Sequence, residues 1–166
     1  MLIFDGDYPM AYGAVDLDRD LTLSIDEVRT ASSGQTTHQG WPDDQTMATL
    51  PEMRRGHVAA ALVKVVGRVR KPDGIIWGYR NEDIAYSAAH AHLAYYRILE
   101  ARGELRILST SKIFRDHMAE WEAADDHAGL PVGVVIGMEG ADPISWPEQA
   151  GEWWANGLRV VSLSHY

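Results

Sequence analysis

Two long apolar runs restrict the fold of this 166-residue sequence more than any other feature. The first extends over Val58–Val63 and resumes at Val65 and Val66, and the second is Val132–Met138. Both runs are too short to cross a membrane as helices, and their continuity is typical of strands buried on both faces of a parallel sheet. Because such strands alternate with covering helices, the sequence predicts an α/β fold.

The rest of the chain alternates between helix signals and shorter strand signals. The clearest helix is predicted over 81–102, because Asn81 can cap it, an apolar stripe recurs at three-and-four spacing, and Gly103 ends it. Ser24 lies three residues before Glu27, which is the spacing of a capping box. Further helices are predicted to begin near Leu50, at Ser109 or Thr110, and near Ser145, and further strands are predicted at Leu2–Phe4, Leu105–Leu108 and Leu158–Leu163.

Charge and composition exclude several classes of protein. The formal net charge of −9 argues against a nucleic-acid partner, because phosphate backbones are bound by clustered Lys and Arg. We interpret the one dense basic run, Arg68–Lys71, as a solvated loop. The absence of cysteine excludes disulfides and zinc–thiolate sites. Since neither a signal-peptide pattern nor a membrane-spanning run is present, we expect a cytoplasmic protein without a membrane segment.

Carboxylates follow two of the predicted strands directly. Asp5 and Asp7 come after the first strand, and Glu139 follows the run that ends at Met138. Carboxylates at strand ends can bind a divalent cation that positions a water for attack. The alternative for Asp5 and Asp7 is a tight turn in which their side chains accept hydrogen bonds from nearby amides. Glu139, flanked by glycines after a buried strand, favours a functional role.

An acidic stretch, Asp16–Glu27, places oxygen ligands at the positions of an EF-hand calcium loop. Its sixth position is Leu21, where the sharp turn requires glycine, and the residues before it make a poor helix. We therefore interpret the stretch as a solvated acidic loop and not as a calcium site.

Five histidines are candidates for chemistry. His90 and His92 lie two apart on a predicted helix and face different directions, so we expect one to be buried and the other exposed. His117 and His127 are predicted to lie on the surface. His165 directly follows the last predicted strand, where it either contacts a substrate or metal-bound water or is simply exposed at the chain end.

Four segments in order resemble the membrane (renal) dipeptidase family of zinc peptidases, most closely its bacterial members. They are MLIFDGDYPMAYGAV, TLPEMRRGHVAAALVKV, IGMEGAD and GLRVVSLSHY. The resemblance implies a (β/α)8 TIM-barrel-like, amidohydrolase-related fold about twice as long as this chain. Residues 1–166 are then expected to be a single domain that forms the N-terminal half of the barrel. The implied activity is hydrolysis of dipeptides or related small amides by one or two zinc ions.

The resemblance also implies roles for individual residues. Glu139 matches the family's metal-bridging glutamate, and His165 matches its substrate-contacting histidine. The first strand of the family ends in His-x-Asp, and both of these residues bind metal. In this sequence Asp7 replaces that histidine and remains a possible metal ligand, whereas Pro9 replaces the aspartate and offers no donor.

The altered first ligand motif leaves several functions open. The chain is either part of a metal-dependent dipeptidase with a single metal, or an amidohydrolase-like relative that uses Asp7 differently. Alternatively, it is a catalytically inactive relative that acts as a small-molecule binding module or a structural subunit. Since no helix follows the last predicted strand, we expect the missing C-terminal half or another chain to complete the barrel. The expected ligand is a small peptide or amide.

Overall fold

The computed structural model describes residues 1–37, 46–72, 74 and 77–164. Its strands form one parallel sheet, which confirms the predicted α/β class. The strands are β1 (Ile3–Tyr8), β2 (Val58–Val66), β3 (Leu105–Ile107), β4 (Val132–Glu139) and β5 (Leu158–Ser162). The α-helices are α1 (Ile25–Ala31), α2 (Leu50–Arg55), α3 (Glu82–Ala101), α4 (Ser111–Ala123) and α5 (Gln149–Ala155), and a π-helical turn covers Tyr12–Asp16.

Two strands share one edge of β4. The first half of that edge, Val132–Val134, pairs with β3, and the second half, Ile136–Glu139, pairs with β5. This sharing is possible because β3 is only three residues long. The opposite edge of β4 pairs with β2, and β2 pairs with β1. At their carboxyl ends the strands therefore follow one another in the order β1, β2, β4 and β5.

Alternate residues of the central strands face the main core. In β2 these residues are Ala59, Ala61, Val63 and Val65, which pack with apolar side chains of α3. Because side chains alternate along a strand, Leu62 and Lys64 lie on the other face of the sheet. A Cβ added to Gly137 of β4 would contact both of them, which places Gly137 on that face too. Burial on both faces is confirmed for β2 and β4.

The outer strands β1 and β5 are less buried than the central ones. Ile3 and Phe4 of β1 and Val160 and Val161 of β5 are exposed. It follows that both outer strands present apolar side chains that the described part of the chain does not cover.

Three helix starts agree with the sequence signals, whereas α5 begins at Gln149 and not near Ser145 as predicted. Ser24 and Glu27 form the predicted capping box at α1. The Asn81 side chain accepts a hydrogen bond from the Ile84 amide at 3.0 Å and caps α3. Thr110 caps α4 in the same way. Within the described ranges, no helix is both long and apolar enough to cross a membrane.

The first strand does not stop at Asp5. It continues through Asp7 to Tyr8, with an irregular register between Asp5 and Tyr8, so the predicted end of the strand at Phe4 is wrong. The irregularity lets the strand pass through the Asp-Gly-Asp sequence without turning away from β2.

Two histidines are more buried than predicted. His117 is completely buried. Its Nε2 donates to the Ala59 carbonyl oxygen at 2.8 Å, and its ring occupies the space beside Gly133, which has no side chain. His127 is half-buried and stacks on Trp121 at 4.7 Å between ring centroids. The prediction of a surface position is therefore wrong for His117, whereas His127 is only partly buried.

The other histidine pair and Asp16 form part of the packing of α3. His92 is buried, as predicted for one of the two, but His90 is half-buried and not exposed as predicted for the other. Asp16 accepts hydrogen bonds from His92 Nε2 at 2.5 Å and from the Tyr79 hydroxyl at 3.1 Å. Asp16 is therefore not a solvated loop residue, and this part of the acidic-loop interpretation is wrong.

Candidate functional site

The candidate site lies at the carboxyl ends of β1, β2 and β4. Asp7 of β1 and Lys64 of β2 form an ion pair, with 3.2 Å between Lys64 Nζ and Asp7 Oδ1. The Lys64 side chain is 8% exposed, whereas the Asp7 side chain is 71% exposed. A buried ammonium therefore holds a carboxylate that faces solvent.

A second ion pair lies on the other side of β2. Arg68 follows β2 by two residues, and its Nη2 lies 3.3 Å from Oε1 of Glu139, the last residue of β4. The side chains are 23% and 14% exposed, respectively. Because β2 lies between β1 and β4, this one strand and its extension supply a cation to the strand-end carboxylate of each neighbour.

Glycines lie next to both cations. A Cβ at Gly137 would lie 3.5 Å from Lys64 Cδ, an ordinary contact distance, so the aliphatic stem of the lysine packs beside this glycine. At Gly67 a Cβ would lie 2.2 Å from the Ala85 carbonyl oxygen. Only glycine permits this close approach to α3, and the approach fixes the backbone from which Arg68 reaches Glu139.

Two further carboxylates fix the backbone around the ion pairs. Asp5 Oδ1 accepts a hydrogen bond from the Asp7 amide at 3.0 Å. Asp142 Oδ2 accepts one from the Val69 amide at 2.8 Å. The hydrogen bond of the alternative interpretation is therefore present at Asp5, but its tight turn is wrong because β1 continues through Asp7. Asp5 thus fixes the main chain of Asp7, and Asp142 fixes the main chain immediately after Arg68.

Tyr8 is the last residue of β1 and adds no charge to the site. Its side chain packs against the main core, and its hydroxyl donates to the Ala48 carbonyl oxygen at 2.8 Å. Burial raises the pKa of this hydroxyl well above its ordinary value, so the side chain remains protonated at neutral pH.

The structure pairs each predicted metal ligand with a cation. Asp7 contacts Lys64, Glu139 contacts Arg68, and His165 lies outside the described residues. Sequence reasoning missed both cations. Lys64 carries a signal, because a single lysine within an apolar strand requires a partner. The interpretation of Arg68 as a solvated loop residue is wrong, because this side chain is mostly buried against Glu139.

No protein-family model and no curated protein matches the sequence. Two solved structures are similar to the chain over almost its whole length. One is dipeptidase AC, a metallopeptidase, with a TM-score of 0.63 and 20% identity over 99% of this chain and 43% of that protein. The other is the probable dipeptidase PvdM from Pseudomonas aeruginosa, with a TM-score of 0.56 and 17% identity over 97% of this chain and 34% of that protein.

The fold is that of part of a dipeptidase. The chain spans less than half the length of either dipeptidase, so its sheet corresponds to a partial (β/α)8 barrel. The predicted fold class is thereby confirmed. In such barrels the carboxyl ends of the strands form the ligand-binding face, and that face carries the two ion pairs of this chain.

The described residues do not fit the zinc ions that the dipeptidase fold implies. A zinc site usually has three or four protein ligands. Within the described ranges, no group of three histidine, aspartate or glutamate side chains is placed to hold a metal. Asp7 and Glu139 each face a cation, and Pro9 has no donor atom to offer.

Proposed function

We propose that the chain forms part of a dipeptidase-fold barrel that binds a small peptide or related amide at the carboxyl ends of its strands. This proposal rests on two ion pairs, Asp7–Lys64 and Glu139–Arg68, which lie on the ligand-binding face of that fold. Peptides and amides carry charged ends and polar carbonyl groups, for which these four side chains offer both signs of charge. The function that the donor set supports best is binding without hydrolysis.

Hydrolysis of dipeptides is the second candidate function. It is favoured by the likeness to two dipeptidases, one of them a metallopeptidase. In this alternative Glu139 and Asp7 hold one or two zinc ions, and His165 contacts the substrate. We derive no catalytic step from it, because the described residues do not fit the metal.

The outer strands β1 and β5 fit one partner, which is the remaining strands of the barrel. The exposed apolar side chains Phe4 and Val160 lie on β1 and β5, each of which pairs with one neighbouring strand within the described ranges. More than half of each dipeptidase lies outside the region that this chain matches. We propose that strands equivalent to that region, from the same polypeptide or from a second one, cover both edges.

Ligand binding can be tested with alanyl-L-alanine and alanyl-D-alanine by isothermal titration calorimetry. We expect heat of binding in the presence of a chelator, and no release of alanine with or without added zinc. Arg68→Met should weaken binding, whereas Arg115→Met, at an exposed position of α4, should not. Release of alanine that requires zinc would contradict this proposal and support the hydrolysis of dipeptides. The absence of binding under every condition would contradict both.

A further inference from the structure

Two cations from one segment hold the carboxylates that the dipeptidase resemblance assigns to metal. Lys64 Nζ lies 3.2 Å from Asp7 Oδ1, and Arg68 Nη2 lies 3.3 Å from Glu139 Oε1. We propose that Lys64 and Arg68 take the electrostatic place of metal ions, so that the strand-end carboxylates are held in position without a metal.

The position of Lys64 is incompatible with a metal on the same carboxylate. A zinc ion bound to Asp7 Oδ1 lies about 2 Å from that oxygen, and therefore no more than about 5 Å from Lys64 Nζ. The Lys64 ammonium is almost completely buried and cannot turn away into water, so its charge opposes a second cation on Asp7. The same argument applies to Arg68 and a metal on Glu139, since both of these side chains are mostly buried.

Lys64 cannot easily leave its carboxylate. It lies in the carboxyl-terminal part of β2 and pairs with Gly137 of β4. Its own carbonyl oxygen accepts a hydrogen bond from the buried Tyr96 hydroxyl at 2.7 Å. Its aliphatic stem lies against Gly137, where a larger residue would meet it. Main chain and side chain are thus both held where the ammonium reaches Asp7.

Arg68 is fixed by the residues on either side of it. Gly67 packs directly on the backbone of α3, and the Val69 amide is bound by Asp142. The backbone is therefore anchored immediately before and immediately after the arginine. This anchored backbone directs the guanidinium towards Glu139. The contact is therefore not that of a mobile surface side chain.

Pro9 fits the same explanation. The resemblance places a metal-binding aspartate at this position, and proline has no side-chain donor. A site that keeps its carboxylates by pairing them with cations needs no ligand there. The role of Lys64 and Arg68 is independent of which ligand the site binds.

A double-mutant cycle with a chelator tests the role of Arg68. The melting temperature of the unsubstituted chain should not change when EDTA or zinc is added. Arg68→Met should lower the melting temperature by about 5 °C, because Glu139 is left mostly buried without its cation. Adding Glu139→Gln to Arg68→Met should recover part of that loss. Arg115→Met, in the unsubstituted chain and in the Glu139→Gln variant, provides the matched control and should show no coupling.

Two outcomes overturn the inference. One is a melting temperature that EDTA lowers and zinc restores in the unsubstituted chain, but not in Glu139→Gln. The other is an additive effect of Arg68→Met and Glu139→Gln. If Arg68→Met fails to fold, the cycle is repeated with Lys64→Met and Asp7→Asn, where the carboxylate is already largely exposed. Coupling between these two supports the inference, and additivity overturns it. Peptide binding is measured in a separate experiment, so a result that contradicts the ligand proposal does not change the conclusion about Lys64 and Arg68.

Discussion

His92 Nε2 lies 2.5 Å from Asp16 Oδ2, and this buried contact joins α3 to the π-helical turn that follows β1. The Val66 amide donates to His92 Nδ1 at 3.0 Å, so the proton of the neutral ring is on Nε2 and points at the carboxylate. The Tyr79 hydroxyl donates to the other carboxylate oxygen. Asp16 therefore ties together three segments that surround the end of β2.

Replacing Asp16 with alanine should lower the free energy of unfolding by about 1–3 kcal/mol, because His92 and Tyr79 lose their acceptor inside the protein. Urea unfolding followed by circular dichroism measures the change. Asp116→Ala is the matched control, since Asp116 pairs with Lys112 on the exposed surface of α4 and such pairs contribute little. Equal losses in the two variants would contradict the assigned role of Asp16.

Protonation of His117 should make the fold less stable in weak acid. Burial is the largest cause that lowers the pKa of this imidazole below its ordinary value of about 6.5. Between the two pKa values the unfolded chain binds more protons than the folded chain. The free energy of unfolding is therefore unaffected by this group above about pH 6.5 and falls as the pH drops below it.

Unfolding curves recorded from pH 7.5 to about pH 5 test this pH dependence. His117→Gln should flatten it, because glutamine can still donate to the Ala59 carbonyl oxygen but does not titrate. A slope that is the same in His117→Gln and in the unsubstituted chain would assign the pH dependence to other groups.

Gly67→Ala should destabilise the chain by about 1–3 kcal/mol, since the added methyl group would meet the backbone of Ala85 at 2.2 Å. The same variant should weaken the coupling between Arg68 and Glu139, because Gly67 sets the direction of the chain before Arg68. Gly129→Ala is the control, with nothing within 4 Å of its added Cβ. Thermal melting compares the two, and a neutral Gly67→Ala would show that α3 can move away.

The exposed apolar residues of the outer strands should cause self-association of the 166-residue chain when it is studied alone. Sedimentation velocity at increasing concentration measures it. Phe4→Lys and Val160→Lys should reduce association, because a charge on a strand with an open edge opposes edge-to-edge contact. Ile84→Lys, at an exposed site of α3, is the control. A concentration-independent monomer would contradict the proposal that further strands cover these edges.

Much of the fold was predictable because it depends on local signals. The apolar runs predicted β2 and β4, and the capping residues Ser24, Asn81 and Thr110 predicted helix starts. The continuation of β1 to Tyr8 was not predictable in this way. It depends on pairing with β2, which outweighs the turn preference of the Asp-Gly-Asp sequence.

The candidate site was predictable only in part. Asp7 and Glu139 were recognisable from their positions at strand ends, but their partners come from a strand that is distant in sequence. Lys64 appeared as an interruption of an apolar run, and Arg68 as part of a basic loop. His117 was placed on the surface because no local signal shows that Gly133 leaves room for its ring.

Zinc titration of the unsubstituted chain by isothermal calorimetry at neutral pH tests the central claim most directly. If Lys64 and Arg68 hold Asp7 and Glu139 in place of a metal, the chain should bind no stoichiometric zinc. Binding of one or more equivalents, lost on Glu139→Gln, would contradict this account and restore the metal site that the dipeptidase resemblance implies.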